Sequence, residues 1–302
     1  MRFAGDCLLA GHYQDAAGED PALAFRDFDL LREADIAMVN LESPITTRGT
    51  PSEKAYIFRA RPGTAAVLRD AGIDIVTLAN NHIYDYGPDG LFDTITMLDA
   101  AGVAHVGAGR THDEAHRPVV IDVRGRRIGF LGYYQGGEAP SASDTSAGVA
   151  ERRLELIQRD IALLRQDAVS FVVIAFHWGV EKATVPEVWQ TAFAHAVIDA
   201  GADAVIGHHP HVLQGIERYG SGVIAYSLGN FIFGGNSRHS YDTGVLEIRI
   251  GPDGPTATFI PVRVTSWTAR VLSGAGADSL RRHMASLSEG FPTTIFNRKE
   301  SE

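Results

Sequence analysis

One stretch of the sequence limits the fold more than any other. A run of small and β-branched apolar residues at 204–207 stops at His208-His209-Pro210-His211. Such a run, after a helical segment and a Gly-Ala-Asp turn, predicts a buried strand of a mostly parallel sheet. Functional groups in open α/β sheets follow the carboxyl ends of strands. His209 and His211, joined by a stiff proline, therefore suit a divalent transition metal, although a lone His-X-His is also common in surface loops.

Other predicted strands end in the same way. Apolar runs at 2–5, 36–39, 73–79 and 170–176 lead to a further set of polar residues: Asp6, Glu42, Asn80, Asn81, His82 and His177. Carboxylate, amide and imidazole ligands together favour one or two ions such as Mn²⁺, Zn²⁺ or Fe²⁺ over a calcium site. The repeated pattern makes a shared metal centre the better interpretation of these residues.

The element pattern predicts an α/β fold. Helical spacing indicates helices at residues 22–34, 62–71, 88–101, 151–165, 186–200 and 278–288. The later strand-like runs, at 222–227, 244–250 and 256–264, and an earlier hairpin at 118–133, are typical of antiparallel strands. We therefore expect a four-layer αββα sandwich of two mixed sheets, in a single domain at residues 1–290 with a polar tail at 291–302.

Composition excludes several classes of protein. The 27 basic and 37 acidic side chains give a formal net charge of -10, which argues against nucleic acid as the partner. Cys7 is the only cysteine, so neither a disulfide within the chain nor a metal site built of several thiolates is possible. The sequence contains no apolar run of roughly 18 residues and no evident signal peptide, so we expect a cytoplasmic protein without a membrane span.

The order of motifs resembles that of a known family. Gly-Asp, Asn-Leu-Glu, Asn-Asn-His, His-Trp-Gly, Gly-His-His-Pro-His and Ser-Leu-Gly-Asn-Phe occur in sequence between Gly5 and about Phe233. This order resembles the CapA family of poly-γ-glutamate capsule proteins, which is similar in turn to the calcineurin-like metallophosphoesterases. The resemblance implies a metallo-dependent phosphatase-like sandwich.

The resemblance also implies roles for individual residues. Asp6 and His211 would bind a first metal, Asn81, His177 and His209 a second, and Glu42 would take the place of a bridging aspartate. His82 would face the substrate as an electrostatic or general-acid group. The remaining predicted substrate contacts are Asn80, Asn230 and His208.

Two departures weaken the first metal site. Metallophosphoesterases open with Asp-X-His, whereas Cys7 and Leu8 follow Asp6 here, so one imidazole ligand is absent. Glu42 is also one methylene longer than the usual aspartate. We therefore expect one tightly bound metal and a second that is weak or missing.

Three functions fit these features. The first is a metal-dependent hydrolase in which a metal-activated water attacks a phosphoester or a glutamyl-type amide, on an anionic small-molecule, peptide or polyglutamate substrate. The second is a metal-assisted peptide or amino-acid epimerase with His82 or Asp6 as the base. The third is a non-catalytic subunit of poly-γ-glutamate synthesis. Substrate specificity is expected in the loops at residues 46–58, 136–148 and 234–242.

Overall fold

Two mixed β-sheets packed face to face form the centre of the protein. The computed structural model describes residues 1–233, 239–252 and 254–291. Residues 234–238, in one of the predicted specificity loops, and residues 292–302, in the predicted polar tail, lie outside the described residues.

The described strands and helices alternate through the first two thirds of the chain. In chain order the strands are β1 (Arg2–Leu8), β2 (Ala37–Leu41), β3 (Ile75–Thr77), β4 (Ala104–Val106), β5 (Ala108–Gly109), β6 (Val119–Val123), β7 (Arg126–Tyr134), β8 (Gly148–Val149), β9 (Phe171–His177), β10 (Ala204–His208), β11 (Ile216–Tyr219), β12 (Gly222–Ala225), β13 (Asn230–Phe233), β14 (Tyr241–Gly251), β15 (Gly254–Thr265) and β16 (Thr268–Val271). The α-helices are α1 (His12–Ala17), α2 (Thr64–Asp70), α3 (Gly87–Ala101), α4 (His112–Ala115), α5 (Leu154–Gln166), α6 (Val188–Asp199) and α7 (Gly274–Leu287).

Both large sheets combine a parallel centre with antiparallel strands at an edge. The first has the order β16-β15-β14-β1-β2-β3-β4, and β13 also pairs with β1. The second has the order β11-β12-β10-β9-β7-β6, in which β12, β10, β9 and β7 are parallel. The carboxyl ends of the parallel strands therefore deliver their last residues to one end of the sandwich.

Three apolar layers hold the sandwich together. Residues such as Phe3, Phe130 and Val173 fill the space between the two sheets. The helices α1, α2 and α3 cover the outer face of the first sheet, while α5 and α6 cover the second. The predicted four-layer αββα arrangement of two mixed sheets is thereby confirmed.

The predicted helix at residues 22–34 is wrong. Only Leu23–Phe25 forms a 3₁₀ helix, and the segment continues in turns with i→i−3 hydrogen bonds and a single i→i−4 bond, from Glu33 to Asp29. Its buried anchors, Phe25, Phe28 and Leu31, recur every three residues. That spacing fits the three residues per turn of a 3₁₀ arrangement, so each anchor reaches the core without an α-helix.

The first strand is longer than its apolar run predicts. β1 extends through Asp6 to Leu8, because β13 adds a parallel partner beside its second half. Asp6 therefore lies inside the strand, paired with Asn40 on one side and Asn230 on the other. Asn230 begins β13, whereas the sequence had placed it at a strand end.

No helix within the described residues combines the length and the apolar composition needed to cross a bilayer.

A cavity of about 410 Å³ lies beside Arg2 and Glu247, near the N-terminal end of β1 and away from the predicted ligands.

Candidate metal centre

The structure gathers the acidic and imidazole residues predicted as metal ligands at one end of the sandwich. Ligand atoms of Asp6, Glu42 and His177 lie within 4.8 Å of one another, as do those of Glu42, His209 and His211. These five residues form what we call the carboxylate–imidazole cluster. Side chains, some of them more than two hundred positions apart in the sequence, thus meet at a common point, as a shared cation requires.

Neighbouring strands deliver the imidazoles. The last residues of β9 and β10, His177 and His208, are paired in register. Beyond them, His209 and His211 adopt positive φ angles of 95° and 57°. Such backbone is costly for residues other than glycine, by about 1–3 kcal/mol each, and its occurrence on both sides of Pro210 indicates that the loop is held in place by tertiary contacts.

Asp6, like Glu42, is completely buried. Its Oδ2 lies 3.1 Å from Nδ1 of His211 and accepts a hydrogen bond from the backbone N–H of His209 at 3.3 Å. Burial alone would raise the pKa of Asp6, but the imidazoles of His208 and His211 hold that pKa well below its ordinary value. Asp6 is therefore the cluster's ionised carboxylate.

The pKa values of Glu42 and His211 are raised, opposite to the shift of Asp6. Burial, together with the negative charge of Asp6, raises the pKa of Glu42 well above its ordinary value. Although burial lowers the pKa of His211, the carboxylates of Glu42 and Asp6 raise it to about 10. A proton on His211 therefore offsets part of the buried negative charge of the metal-free cluster, and a divalent cation would take over that role.

Unpartnered atoms in the cluster fit a cation. Oε1 of Glu42 is buried without a hydrogen-bond partner, 3.7 Å from Nε2 of His177 and 3.6 Å from Nε2 of His211. Nδ1 of His209 is also buried and unpartnered. A buried carboxylate oxygen with no donor is costly, whereas a metal ion would satisfy it. The donor set of carboxylate oxygen and imidazole nitrogen suits Mn²⁺, Zn²⁺ or Fe²⁺.

The Asn80-Asn81 pair places one amide against the cluster and one behind it. Oδ1 of Asn81, a predicted ligand, lies 2.9 Å from Nε2 of His177. Asn80 instead donates to Oδ1 of Asn40 and to the Leu41 carbonyl, and its own Oδ1 accepts from two backbone N–H groups. All four hydrogen-bonding positions of the Asn80 amide are thus used within the protein, and its predicted contact with substrate stays a prediction.

Sequence analysis missed Asn40, which connects the two carboxylates. Its Nδ2 lies 2.8 Å from Oδ1 of Asp6, 3.1 Å from Oε2 of Glu42 and 3.3 Å from Nδ1 of His177. The signal was present in the Asn-Leu-Glu motif, since residues two apart in a strand point to the same face.

His82 follows Asn81 in the chain and is oriented by a carboxylate that the sequence analysis also missed. Its Nδ1 is 2.9 Å from Oδ2 of Asp85, which is completely buried. Asp85 also forms a 2.6 Å ion pair with Lys54 and accepts a hydrogen bond from the backbone N–H of Phe58. An aspartate three residues after a candidate catalytic histidine could have indicated this pair.

The two other predicted substrate contacts, Asn230 and His208, lie against His211 and Asp6, respectively. Oδ1 of Asn230 is 2.9 Å from Nδ1 of His211, so Asn230 supports that imidazole. Nδ1 of His208 is 3.5 Å from Oδ1 of Asp6, and both ring nitrogens of His208 are buried without a hydrogen bond. A direct contact of either residue with substrate stays a prediction.

The fold and the site together define an αββα sandwich protein with a candidate metal centre at the carboxyl ends of its parallel strands. The chain's family follows from a comparison with known sequences. The family described as "Bacterial capsule synthesis protein PGA_cap" matches residues 1–235, and the chain belongs to that family. The resemblance seen in the motif order is thereby confirmed.

Curated relatives agree with this assignment. The "Capsule biosynthesis protein CapA" of Bacillus anthracis is 29% identical over 288 residues, which cover 91% of this chain and 70% of the relative. The "PGA biosynthesis protein CapA" of Bacillus subtilis (strain 168) is 30% identical over 259 residues, covering 83% of this chain and 68% of the relative.

Solved structures with similar chain paths are more distant. A hypothetical protein from Thermus thermophilus superimposes with a TM-score of 0.53 at 18% identity, over 87% of this chain and 98% of that one, and shows the fold alone. A 5'-nucleotidase precursor from the same organism gives a TM-score of 0.47 at 16% identity, over 88% of this chain and 51% of that one. That weaker likeness supports no inference about activity.

Proposed function

We propose that this protein is a metal-dependent hydrolase of poly-γ-glutamate synthesis, acting on a glutamyl-type amide or a phosphoester. The observation that carries the proposal is the buried, unpartnered Oε1 of Glu42 between the imidazoles of His177 and His211. Family membership supports the assignment to poly-γ-glutamate synthesis, because the two Bacillus relatives carry names of capsule and PGA biosynthesis.

The chain offers two overlapping sets of ligands. Asp6, Glu42 and His177 form one set and Glu42, His209 and His211 the other, so Glu42 belongs to both. Asn81, whose Oδ1 lies 2.9 Å from Nε2 of His177, would add an amide ligand to the first set. A bound divalent ion would polarise the scissile bond and lower the pKa of a water molecule toward neutrality. Asn40 would keep the carboxylates in place, as groups behind the ligands of metal sites do.

His82 and Asp85 supply the proton chemistry. The contact with Asp85 occupies Nδ1 of His82, which leaves Nε2 as the nitrogen able to donate a proton to a leaving group. Phe58, with its ring centroid 4.5 Å from that of His82, restrains the imidazole from one side. This arrangement supports His82 as the general acid. Asp6 is surrounded by the imidazoles and by Asn40, so we assign it as a ligand and not as a proton acceptor.

Metal analysis and turnover test the proposal. Protein purified without added ions is expected to contain Mn, Zn or Fe, to lose turnover of poly-γ-glutamate or of a phosphoester on chelation, and to regain it with the same metal. His209→Ala is expected to lose metal and turnover together. His283→Ala, at an exposed position of α7, is the matched control and should keep both. Turnover by chelated His209→Ala protein would overturn the proposal.

The two alternatives from the sequence differ in their support. Within the described residues nothing favours epimerisation over hydrolysis. A non-catalytic role agrees with the name "probable polyglutamine synthesis accessory protein" carried by a Mycobacterium tuberculosis relative that is 28% identical over 292 residues. Bound metal without turnover of either substrate class would establish that role instead.

A further inference from the structure

Arg152 lies near the candidate metal centre but belongs to none of the interactions described above. Its backbone N–H donates to the carbonyl of Tyr134, the last residue of β7, at 3.1 Å. Tyr134 in turn pairs in register with His177 on β9. Two strand spacings therefore separate the backbones of Arg152 and His177, a distance of roughly 10 Å.

The guanidinium of Arg152 has no counter-ion among the residues that the structure describes. Within the described part of the chain, no carboxylate lies within the 4.0 Å limit for an ion pair with it, and its Nε is buried without a hydrogen bond. Its central carbon lies 4.3 Å from the ring centroid of Trp189 and 5.5 Å from that of Phe193. Burial lowers the pKa of Arg152 to about 10, which still leaves the side chain charged at neutral pH.

Other arginines show that this lack of a partner is unusual for a half-buried position. Arg2 pairs with Glu247 at 2.9 Å, and Arg165 pairs with Asp203 at 2.5 Å. The adjacent Arg153 is more exposed, yet it lies 3.9 Å from Glu155. A partly buried cation without an anion is costly, so a ligand that supplies the anion would be stabilised there.

The rings of Trp189 and Phe193 restrict the position of the Arg152 guanidinium. Trp189 lies in the first turn of α6, which follows β9 and therefore starts at the same end of the sandwich as the cluster. Stacking on Trp189 restrains the planar guanidinium while its edges stay able to bind two oxygens at once. Val188 beside it is 87% exposed, an apolar surface next to the cation.

We propose that Arg152, held on Trp189, binds an oxyanion of the substrate at a subsite next to the metal centre. The oxyanion is a carboxylate of a glutamyl chain or a phosphate, since both present paired oxygens to a guanidinium. The inference rests on the proposed function for its choice of ligands. It goes beyond that function by naming a specificity-determining residue outside the cluster.

Calorimetric titration of the full chain tests the subsite. The probes are a γ-linked glutamate trimer and inorganic phosphate, each titrated with and without Mn²⁺ into wild type, Arg152→Gln, Arg152→Lys and Arg153→Gln. Arg152→Gln is expected to weaken at least one probe by about tenfold or more, the effect of losing a charge-assisted hydrogen bond. The probe that is weakened identifies the source of the oxyanion. Arg153→Gln, which removes the same charge one residue away, should stay within about twofold of wild type.

Three results would overturn the inference: no binding of either probe to wild type, an unchanged affinity in Arg152→Gln, or an equal loss in Arg153→Gln. If Arg152→Gln does not fold, as judged by its thermal melt, Arg152→Lys decides the question. Lysine keeps the charge but not the planar fork, so an affinity equal to wild type would also count against the subsite. Because binding needs no turnover, failure of the hydrolase proposal leaves this result interpretable.

Discussion

Nδ2 of Asn40 lies 2.8 Å from Oδ1 of Asp6 and 3.1 Å from Oε2 of Glu42, so one amide holds both buried carboxylates of the cluster. Two acidic groups at such close range repel each other when both are ionised. The shared donor reduces that cost and fixes the carboxylates in orientations that leave Oε1 of Glu42 facing the imidazoles. The order of the site thus depends on a residue that need not touch an ion.

Replacing Asn40 tests this dependence. Asn40→Ala removes the shared donor, and we expect affinity for Mn²⁺ to fall by about 10–100-fold, as is typical when a group behind the ligands is lost. The measurement is calorimetric titration of metal-free protein with Mn²⁺. Urea unfolding of the same metal-free samples shows whether the loss arises from misfolding. A Mn²⁺ affinity equal to that of wild type would show that metal binding does not depend on the hydrogen bonds from Asn40.

The His82–Asp85 pair predicts that kcat and metal binding respond differently to a substitution of Asp85. Asp85→Asn weakens the acceptor that orients His82, so kcat is expected to fall by about 10²–10⁴-fold, the usual contribution of general acid catalysis. Metal content should stay at the wild-type value, because Asp85 is not among the proposed ligands. Asp113→Asn is the matched control, since Asp113 lies 3.5 Å from His112 but is 96% exposed. Equal kcat values for wild type and Asp85→Asn would remove His82 from the mechanism.

A second histidine–carboxylate pair predicts how stability depends on pH. Burial alone would raise the pKa of Asp160, but hydrogen bonds from His116 and Arg159 lower it below its ordinary value. Because the folded-state pKa lies below the unfolded value of about 3.9, this stabilisation is complete above that pH and is lost as the pH falls through the folded-state pKa.

Asp160→Asn therefore has an effect that depends on pH. At pH 7 we expect the free energy of unfolding to fall by about 2 kcal/mol, since buried bonds to His116 and Tyr133 are weakened. The difference from wild type should shrink below about pH 4. Urea unfolding curves at several pH values provide the measurement. A difference that stays constant down to pH 3 would contradict the assigned direction of the pKa shift.

Gly5 allows the close approach that places Asp6. A Cβ built on Gly5 would lie 1.9 Å from the carbonyl oxygen of Gly229, the same oxygen that accepts the N–H of Asp6 at 2.9 Å. Gly5→Ala is therefore expected to lower the free energy of unfolding by at least about 3 kcal/mol.

The control for this change is a glycine with open space around it. Gly63 has helical backbone at φ -67°, and a Cβ there would meet nothing within 4 Å. Gly63→Ala should be neutral or stabilising by about 0.4–1 kcal/mol. Urea unfolding compares the two variants, and equal effects would mean that the contact with Gly229 is easily relieved.

The sequence predicted the strands well where the apolar runs were continuous. β9 and β10 end at or within one residue of the predicted positions, because a strand buried on both faces shows its length in its composition. The helix predicted at residues 22–34 failed because its apolar spacing fits two kinds of helix, and packing decided between them. β13 was missed because its pairing with β1 joins residues more than two hundred positions apart.

By itself, the sequence determined which carboxylate, amide and imidazole residues are candidate ligands, their order along the chain and the buried strand that each of them lies in or follows. These are local properties, because composition and spacing fix which residues follow a buried strand. Only the tertiary structure decided that Asp6, Glu42 and the imidazoles converge, that Asn40 contacts both carboxylates, that Asp85 orients His82, and that Arg152 has no counter-ion within the described residues. Those facts depend on distances between segments far apart in the chain, which folding sets and local sequence patterns do not contain.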